Sequence, residues 1–174
     1  MKIIIYGSKY GTAKQYAEEL SKRTNIKAVS YEKRKSIDEY ETIIYIGALY
    51  AGGVLGMAKT FKKTANCENK KIIIATVGLA DPSDTENTNN IKNGMKRQLS
   101  NEIYERACIY HLRGGIDYSK LNYAHKTMMS LLCKKAKRLP EEKKTAEVKA
   151  MIDTYNQKVD FVDFSGLEDI IREI

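Results

Sequence analysis

Three runs of consecutive apolar, mostly β-branched residues constrain this chain more than any other feature: Ile3-Ile4-Ile5-Tyr6, Thr42 to Ile46 and Lys71 to Val77. A strand with one wet face alternates apolar and polar side chains, so an unbroken apolar run belongs to a strand covered on both faces. Two further strands are predicted over Ile26 to Tyr31 and Arg106 to Leu112. Amphipathic stretches alternate with them: Thr12 to Arg23, Met57 to Thr64, a helix capped by Asp84 or Thr85 and running to about Leu99, and Gly166 to Ile174. Alternating strands and helices imply a parallel sheet with right-handed crossovers, and five such strands form an open, doubly wound α/β sandwich. A length of 174 residues fits a single domain with a sizeable core.

About fifty residues, Arg113 to Asp163, exceed what such a sandwich needs and read as a helical insertion before the last helix. Leu121, Ala124, Met128, Leu131 or Leu132, and Leu139 keep helical spacing, with Lys126, Lys134, Lys135, Lys137 and Arg138 between them. Pro140 is expected to open a second helix, with Glu141 and Glu142 in its first turn and Val148, Met151, Ile152 and Tyr155 as its apolar stripe. The insertion also holds most of the net charge of +8. Residues 120–149 contain nine Lys and Arg against three Asp and Glu, a net of +6, which leaves +2 for the rest. The basic balance therefore speaks for one docking surface, for an acidic protein, an anionic substrate or a membrane face, and not for nucleic acid.

Cys67, Cys108 and Cys133 are few and far apart, and only His111 and His125 could join them, so neither a disulfide framework nor a metal module is expected. No apolar run approaches the roughly 18 residues of a membrane span, and Ile3 to Ile5 is too short for a signal peptide. A cytoplasmic protein is expected.

In a doubly wound sheet, ligands bind beyond the carboxyl ends of the strands near the switch point, so the loops after strands one, three and four hold the candidate site. The first is Gly7-Ser8-Lys9-Tyr10-Gly11-Thr12-Ala13. Small and hydroxyl residues turning straight into a helix leave main-chain N–H groups aimed at one anion such as a phosphate. The nucleoside-triphosphate and dinucleotide fingerprints are both missing, and a phosphoacceptor receiver lacks its clustered carboxylates, since these positions read Tyr6-Gly7-Ser8 and Ile46-Gly47-Ala48. The third-strand loop, Gly47 to Gly56, and the fourth-strand loop, Val77 to Asp84, combine glycine with small apolar residues, which suits a planar ring read by main-chain groups. One phosphate cradle and two apolar walls describe a flavin mononucleotide site.

On these loops, and on Arg113-Gly114-Gly115-Ile116-Asp117-Tyr118-Ser119-Lys120-Leu121, the chain resembles the flavodoxin superfamily over nearly its whole length. Within it, the chain is most similar to flavodoxin-domain proteins related to menaquinone-dependent protoporphyrinogen dehydrogenase. The resemblance implies a five-stranded parallel sheet in the order 2-1-3-4-5 with helices on both faces. It implies FMN as cofactor, with Ser8, Lys9, Tyr10, Gly11, Thr12 and Ala13 around the phosphate. Ala48, Leu49, Tyr50, Ala51 and Gly52 would line one side of the isoalloxazine, and Gly78, Leu79, Ala80 and Asp81 its other side and pyrimidine edge. Gly52 or Gly53 is the candidate for a peptide that turns over on flavin reduction. Tyr10 and Ala13 stand where electron-carrier flavodoxins commonly have hydroxyl residues, the chain has no tryptophan, and the fourth loop has no aromatic, which argues against a pure shuttle.

Tyr50 is a candidate for stacking on the ring and Asp81 for accepting from its pyrimidine edge. His111, on a strand, and His125, on the inserted helix, read as structural and not as proton donors. Lys9 and Arg113 could attract phosphate or an acidic substrate, and Met128-Met129 among lysines could dock a partner. The function expected is electron transfer or redox chemistry on FMN with no catalytic side chain of its own. Two alternatives stand beside it: an FMN-dependent oxidoreductase that passes electrons from protoporphyrinogen to a quinone, and a non-redox binding module acting through the basic insertion. The expected partners are accordingly a redox protein, a quinone or another small-molecule substrate.

Overall fold

The computed structural model describes residues 1–33, 36–62 and 69–174. Its strands are β1 (Lys2–Gly7), β2 (Ala28–Ser30), β3 (Thr42–Tyr50), β4 (Gly53–Val54), β5 (Lys71–Gly78), β6 (Cys108–Arg113), β7 (Gly115–Asp117) and β8 (Lys158–Asp160). Its helices are α1 (Thr12–Thr24), α2 (Met57–Phe61), α3 (Thr85–Lys96), α4 (Asn101–Arg106), α5 (Tyr123–Lys137), α6 (Ala146–Asp153) and α7 (Leu167–Glu173). Five strands pair in parallel in the order β2-β1-β3-β5-β6. This is the expected order with β4 added, a two-residue strand antiparallel to β3.

Because the sheet is covered on both faces, alternate residues of one run feed different cores. Ile3, Ile5, Ile43, Tyr45, Ile72 and Ile74 pack on one face with Met57, Phe61 and Met95. Ile4, Ile44, Ile46 and Ile73 pack on the other with Ala13, Tyr16, Ala17 and Leu20 of α1 and Leu167 and Ile170 of α7. Each fully buried isoleucine contributes roughly 1.5 to 3 kcal/mol, so these runs are the main source of cohesion. The parallel register Gly7 to Gly47, Ala48 to Val77 and Gly78 to Arg113 brings the strand ends to one edge. There Gly7 lies against the Leu55 carbonyl, which an added Cβ would approach to 2.0 Å. The chain can return across the strand end only because position 7 has no side chain.

The insertion is built differently from its predicted form. Asn122 caps α5 by accepting from the His125 N–H, and the buried stripe is Met129, Cys133 and Ala136. Ala124, Leu131 and Leu132 are exposed. Pro140 opens only a short 3₁₀ turn, Glu141–Lys143, and the second helix begins after Thr145, whose hydroxyl accepts from the Val148 N–H. The antiparallel pairing of β7 with β8, across the two helices of the insertion, is not evident from the sequence pattern, nor is α4, capped by Ser100. The predicted helix Met57 to Thr64 appears as Met57–Phe61, with Thr64 outside the described residues, as is Cys67. Strand β2 is shorter than the predicted Ile26 to Tyr31.

One buried hydroxyl joins the two ends of the insertion. Tyr16 of α1 donates to the Arg113 carbonyl at 2.7 Å and accepts from the Asp163 N–H at 2.9 Å. A third apolar cluster, Ile116, Tyr118, Leu121 and Met129, then packs the insertion onto Tyr10 and Leu79 of the sandwich. Among the described residues, no helix is long and apolar enough to cross a membrane.

His111 lies on β6 opposite Thr76, and its Nδ1 pairs with the Thr76 hydroxyl at 2.7 Å. Its Nε2 is buried with no partner among the described residues. Burial, with a smaller effect of Lys92, pushes its pKa down to about 4. The unfolded chain therefore takes up this proton near pH 6.5 and the folded one only near pH 4, so His111 costs stability as pH falls through that window. Urea midpoints measured from pH 7.5 to pH 5 should fall more steeply in the native chain than in His111→Gln; equal slopes would contradict this reading.

Candidate functional site

The carboxyl edge of the sheet ends in a cleft of about 720 Å³, within the range of small-molecule sites. Ala48, Leu49, Val77 and Gly78 form its floor. The insertion supplies an apolar wall from Met128, Met129, Leu132, Val148 and Met151. A further wall comes from α3, with Asn87, Asn90, Ile91, Asn93 and Gly94, and from Arg97 just beyond it.

At the first loop, α1 starts bare. Gly11 stands at the cap position with φ +99°, has no side chain to offer, and nothing lies within 4 Å of where its Cβ would be. The Ser8 hydroxyl accepts from the Gly11 N–H at 3.1 Å and so shapes the loop. Among the described helices of eight residues or more, α3, α5 and α6 are capped by Asp84, Asn122 and Thr145, and α1 alone is not. Its first turn also lacks any acidic residue. A helix start of this kind keeps its N–H groups and positive dipole end open to an anion.

The third-strand loop is a two-residue hairpin. β3 continues to Tyr50, the chain turns through Ala51 (φ 50°) and Gly52 (φ 78°), and β4 pairs back. Positive φ at both central residues is what a type I′ hairpin turn requires. The outer edge of β4 is held by the Gln98 amide, which accepts from the Val54 N–H at 2.7 Å and donates to its carbonyl at 3.3 Å. Tyr50 projects into the cleft between two neighbours: Lys9 Nζ lies 5.7 Å from its ring centre, and its hydroxyl meets Met128 Sδ at 3.7 Å.

At the fourth-strand loop, Glu147 of α6 takes two consecutive main-chain donors. Oε1 accepts from the Leu79 N–H and Oε2 from the Ala80 N–H, each at 3.1 Å. Arg113 holds the other side of this loop: Nε donates to the Leu79 carbonyl at 3.1 Å, and the guanidinium stacks 3.9 Å from the Phe161 ring centre. Arg113 is thus a clamp and not the free attractor its position in the sequence implied.

Of the predicted site residues, Tyr10, Thr12, Ala48, Leu49, Tyr50, Ala51, Gly52, Gly78 and Leu79 line the cleft. Ser8, Lys9, Gly11, Ala13, Ala80 and Asp81 do not. Ala13 is packed in the core, so only its main chain is available to the loop. Asp81 turns its carboxylate to the Ser83 N–H at 2.8 Å, a bond that lowers its pKa, and so works as a turn former. Tyr10 meets His125 edge to face at 6.0 Å, and its hydroxyl and that of Tyr118 are buried without partners among the described residues. Burial raises both pKa values, that of Tyr118 to about 12, so both phenols stay protonated. Sequence reasoning missed the α3 wall and Glu147. The amide run Asn87, Asn90, Asn93 on one helix face was visible as a signal; Glu147 was visible only as an ordinary first-turn acid.

The family model described as Flavodoxin domain matches residues 3–143, from β1 to the 3₁₀ turn before α6. No curated protein matches the chain.

The hairpin geometry yields a stability test. Ala51 sits in left-handed backbone that alanine disfavours by about 1 to 2 kcal/mol. Ala51→Asn creates the Asn-Gly pair preferred in such turns and should stabilise the protein by about 1 kcal/mol in urea denaturation. A lower midpoint would show that the turn is strained for another reason.

Proposed function

The chain belongs to the flavodoxin-domain family, and from that premise we propose that it is an FMN-binding redox protein. The residues present fit this cofactor. The observation that carries the reading is the bare start of α1, with open space at Gly11, whose neighbours Tyr10 and Thr12 line a largely apolar cleft floored by strand ends. FMN, when bound, supplies transfer of one or two electrons. The N–H groups of the first turn of α1 hold its phosphate, with Ser8 keeping the loop in shape. Charge-assisted bonds of this type contribute roughly 1.5 to 3 kcal/mol each. Tyr50 and the hairpin wall one side of the ring and Gly78 and Leu79 the other, and the insertion excludes water from above.

The breadth of the cleft supports a second, finer reading. Met128, Met129, Leu132, Val148 and Met151 form an apolar wall next to the amide-rich face of α3, which favours an oxidoreductase with a small substrate of its own. Protoporphyrinogen with a quinone acceptor is the version of that reading the sequence resemblance supports. Leu132 both lines the cleft and is 44% exposed, next to exposed Lys134, Lys135 and Arg138. None of these three cations makes an ion pair among the described residues. We assign this face to an acidic redox partner, for which unpaired charge raises the association rate.

Titration of the protein with FMN, followed by quenching of flavin fluorescence, should show one tight site. Gly11→Asp places a carboxylate in the open space at the phosphate seat and should weaken that site by at least roughly 100-fold, by loss of the phosphate bonds and added repulsion, with an unchanged circular dichroism spectrum. Unchanged affinity would reject the seat; a native protein that takes up no FMN would favour the non-redox binding module.

A further inference from the structure

Building on the flavin reading above, we infer that Glu147 is a displaceable stopper: its carboxylate occupies the main-chain donors that the pyrimidine edge of FMN needs, and the cofactor binds by exchange. The bonds from the Leu79 and Ala80 N–H groups use one oxygen each. The carboxylate also lies against Gly78, where an added Cβ would be 3.1 Å from Oε2, and the residue lines the cleft. No cation pairs with Glu147 among the described residues. Its partners in the structure are therefore the loop's two donors.

The chemistry of the edge makes the exchange necessary. The pyrimidine edge of a flavin offers carbonyl, N–H and carbonyl in sequence, two acceptors flanking one donor. Two adjacent main-chain N–H groups that converge on one carboxylate suit one of those carbonyls. With the carboxylate in place both donors are taken and its lone pairs repel that carbonyl, so ring and carboxylate cannot share the two donors. In the empty protein the same N–H groups would lack an acceptor, and an unpaired buried donor is costly. Glu147 is the surrogate that removes this cost.

The surrounding structure is suited to release. Among its described residues, α6 has none that is fully buried, and Met151 is its contact with the third apolar cluster. It begins just beyond residue 143, where the family match ends. The cleft region thus carries an open helix start at α1 and a carboxylate at α6, so an anionic group is drawn to the first and repelled from the second.

The test compares the native chain with Glu147→Ala and Glu147→Gln, using FMN as ligand. Stopped-flow quenching should give roughly 10- to 100-fold tighter binding for Glu147→Ala, the factor expected from removing one competing charge-assisted bond or more, with faster association. Glu147→Gln, which keeps one carbonyl acceptor, should fall between. Hydrogen exchange should show Leu79 and Ala80 less protected in the empty Glu147→Ala protein, and FMN should loosen residues 146–153 of the native chain. Equal or weaker FMN binding by both variants, with the native chain still binding, would overturn the stopper and leave the flavin reading standing. Failure of all three proteins to bind FMN would instead remove the flavin reading, and the stopper with it.

Discussion

A parallel sheet buried on both faces leaves main-chain N–H groups at its carboxyl edge that the sheet itself cannot pair, and the rest of this structure follows from how they are served. At β1 the chain turns into α1 without a capping side chain, so the donors of that helix start stay open. At β5 it brings in a carboxylate from a distant helix to close the Leu79 and Ala80 donors. At β3 it prolongs the strand into a hairpin whose free edge the Gln98 amide fills. Three loops at one edge thus meet the same need in three ways, and the differences between them define the cleft.

The insertion completes the site as well as extending the chain. Its two ends meet at the Tyr16 hydroxyl, so a segment of some fifty residues leaves and rejoins the sandwich at one point on α1. Its cluster around Ile116, Tyr118 and Met129 rests on Tyr10 and Leu79, residues of the first and fourth-strand loops. The insertion therefore touches both loops by direct packing. Its lysines on α5 make no ion pair among the described residues, and they place the basic surface next to the cleft and away from the nearly neutral sandwich.

The sandwich was legible because periodicity reports burial directly. Ile3 to Ile5, Ile43 to Ile46 and Ile72 to Ile74 are apolar at every position, and the structure buries every one of them. The loops were legible for a related reason: Gly11, Gly52 and Gly78 mark places where the backbone turns sharply or approaches a neighbour. The insertion was read less well, because helical spacing there fits more than one stripe. Leu131 and Leu132 satisfy the period as well as Met129, Cys133 and Ala136 do, and only the tertiary docking on Tyr10 and Leu79 chooses between them. Proline tolerates a first helical position, so Pro140 reads as a helix start in the sequence, but the Thr145 hydroxyl supplies the side-chain cap and the helix begins there. Glu147 was beyond local reasoning altogether, since its partners lie 67 and 68 residues away.

We read the cleft between α1 and the β5 loop as a flavin site, with its anion seat at the start of α1 and its ring-edge donors in the β5 loop. Backbone amide NMR during titration with FMN reads both places at once. The account predicts large shifts at Thr12, Ala13 and Lys14, where the phosphate arrives, together with shifts at Leu79 and Ala80 as their acceptor changes. Saturable FMN binding that leaves all five amides unmoved would contradict it.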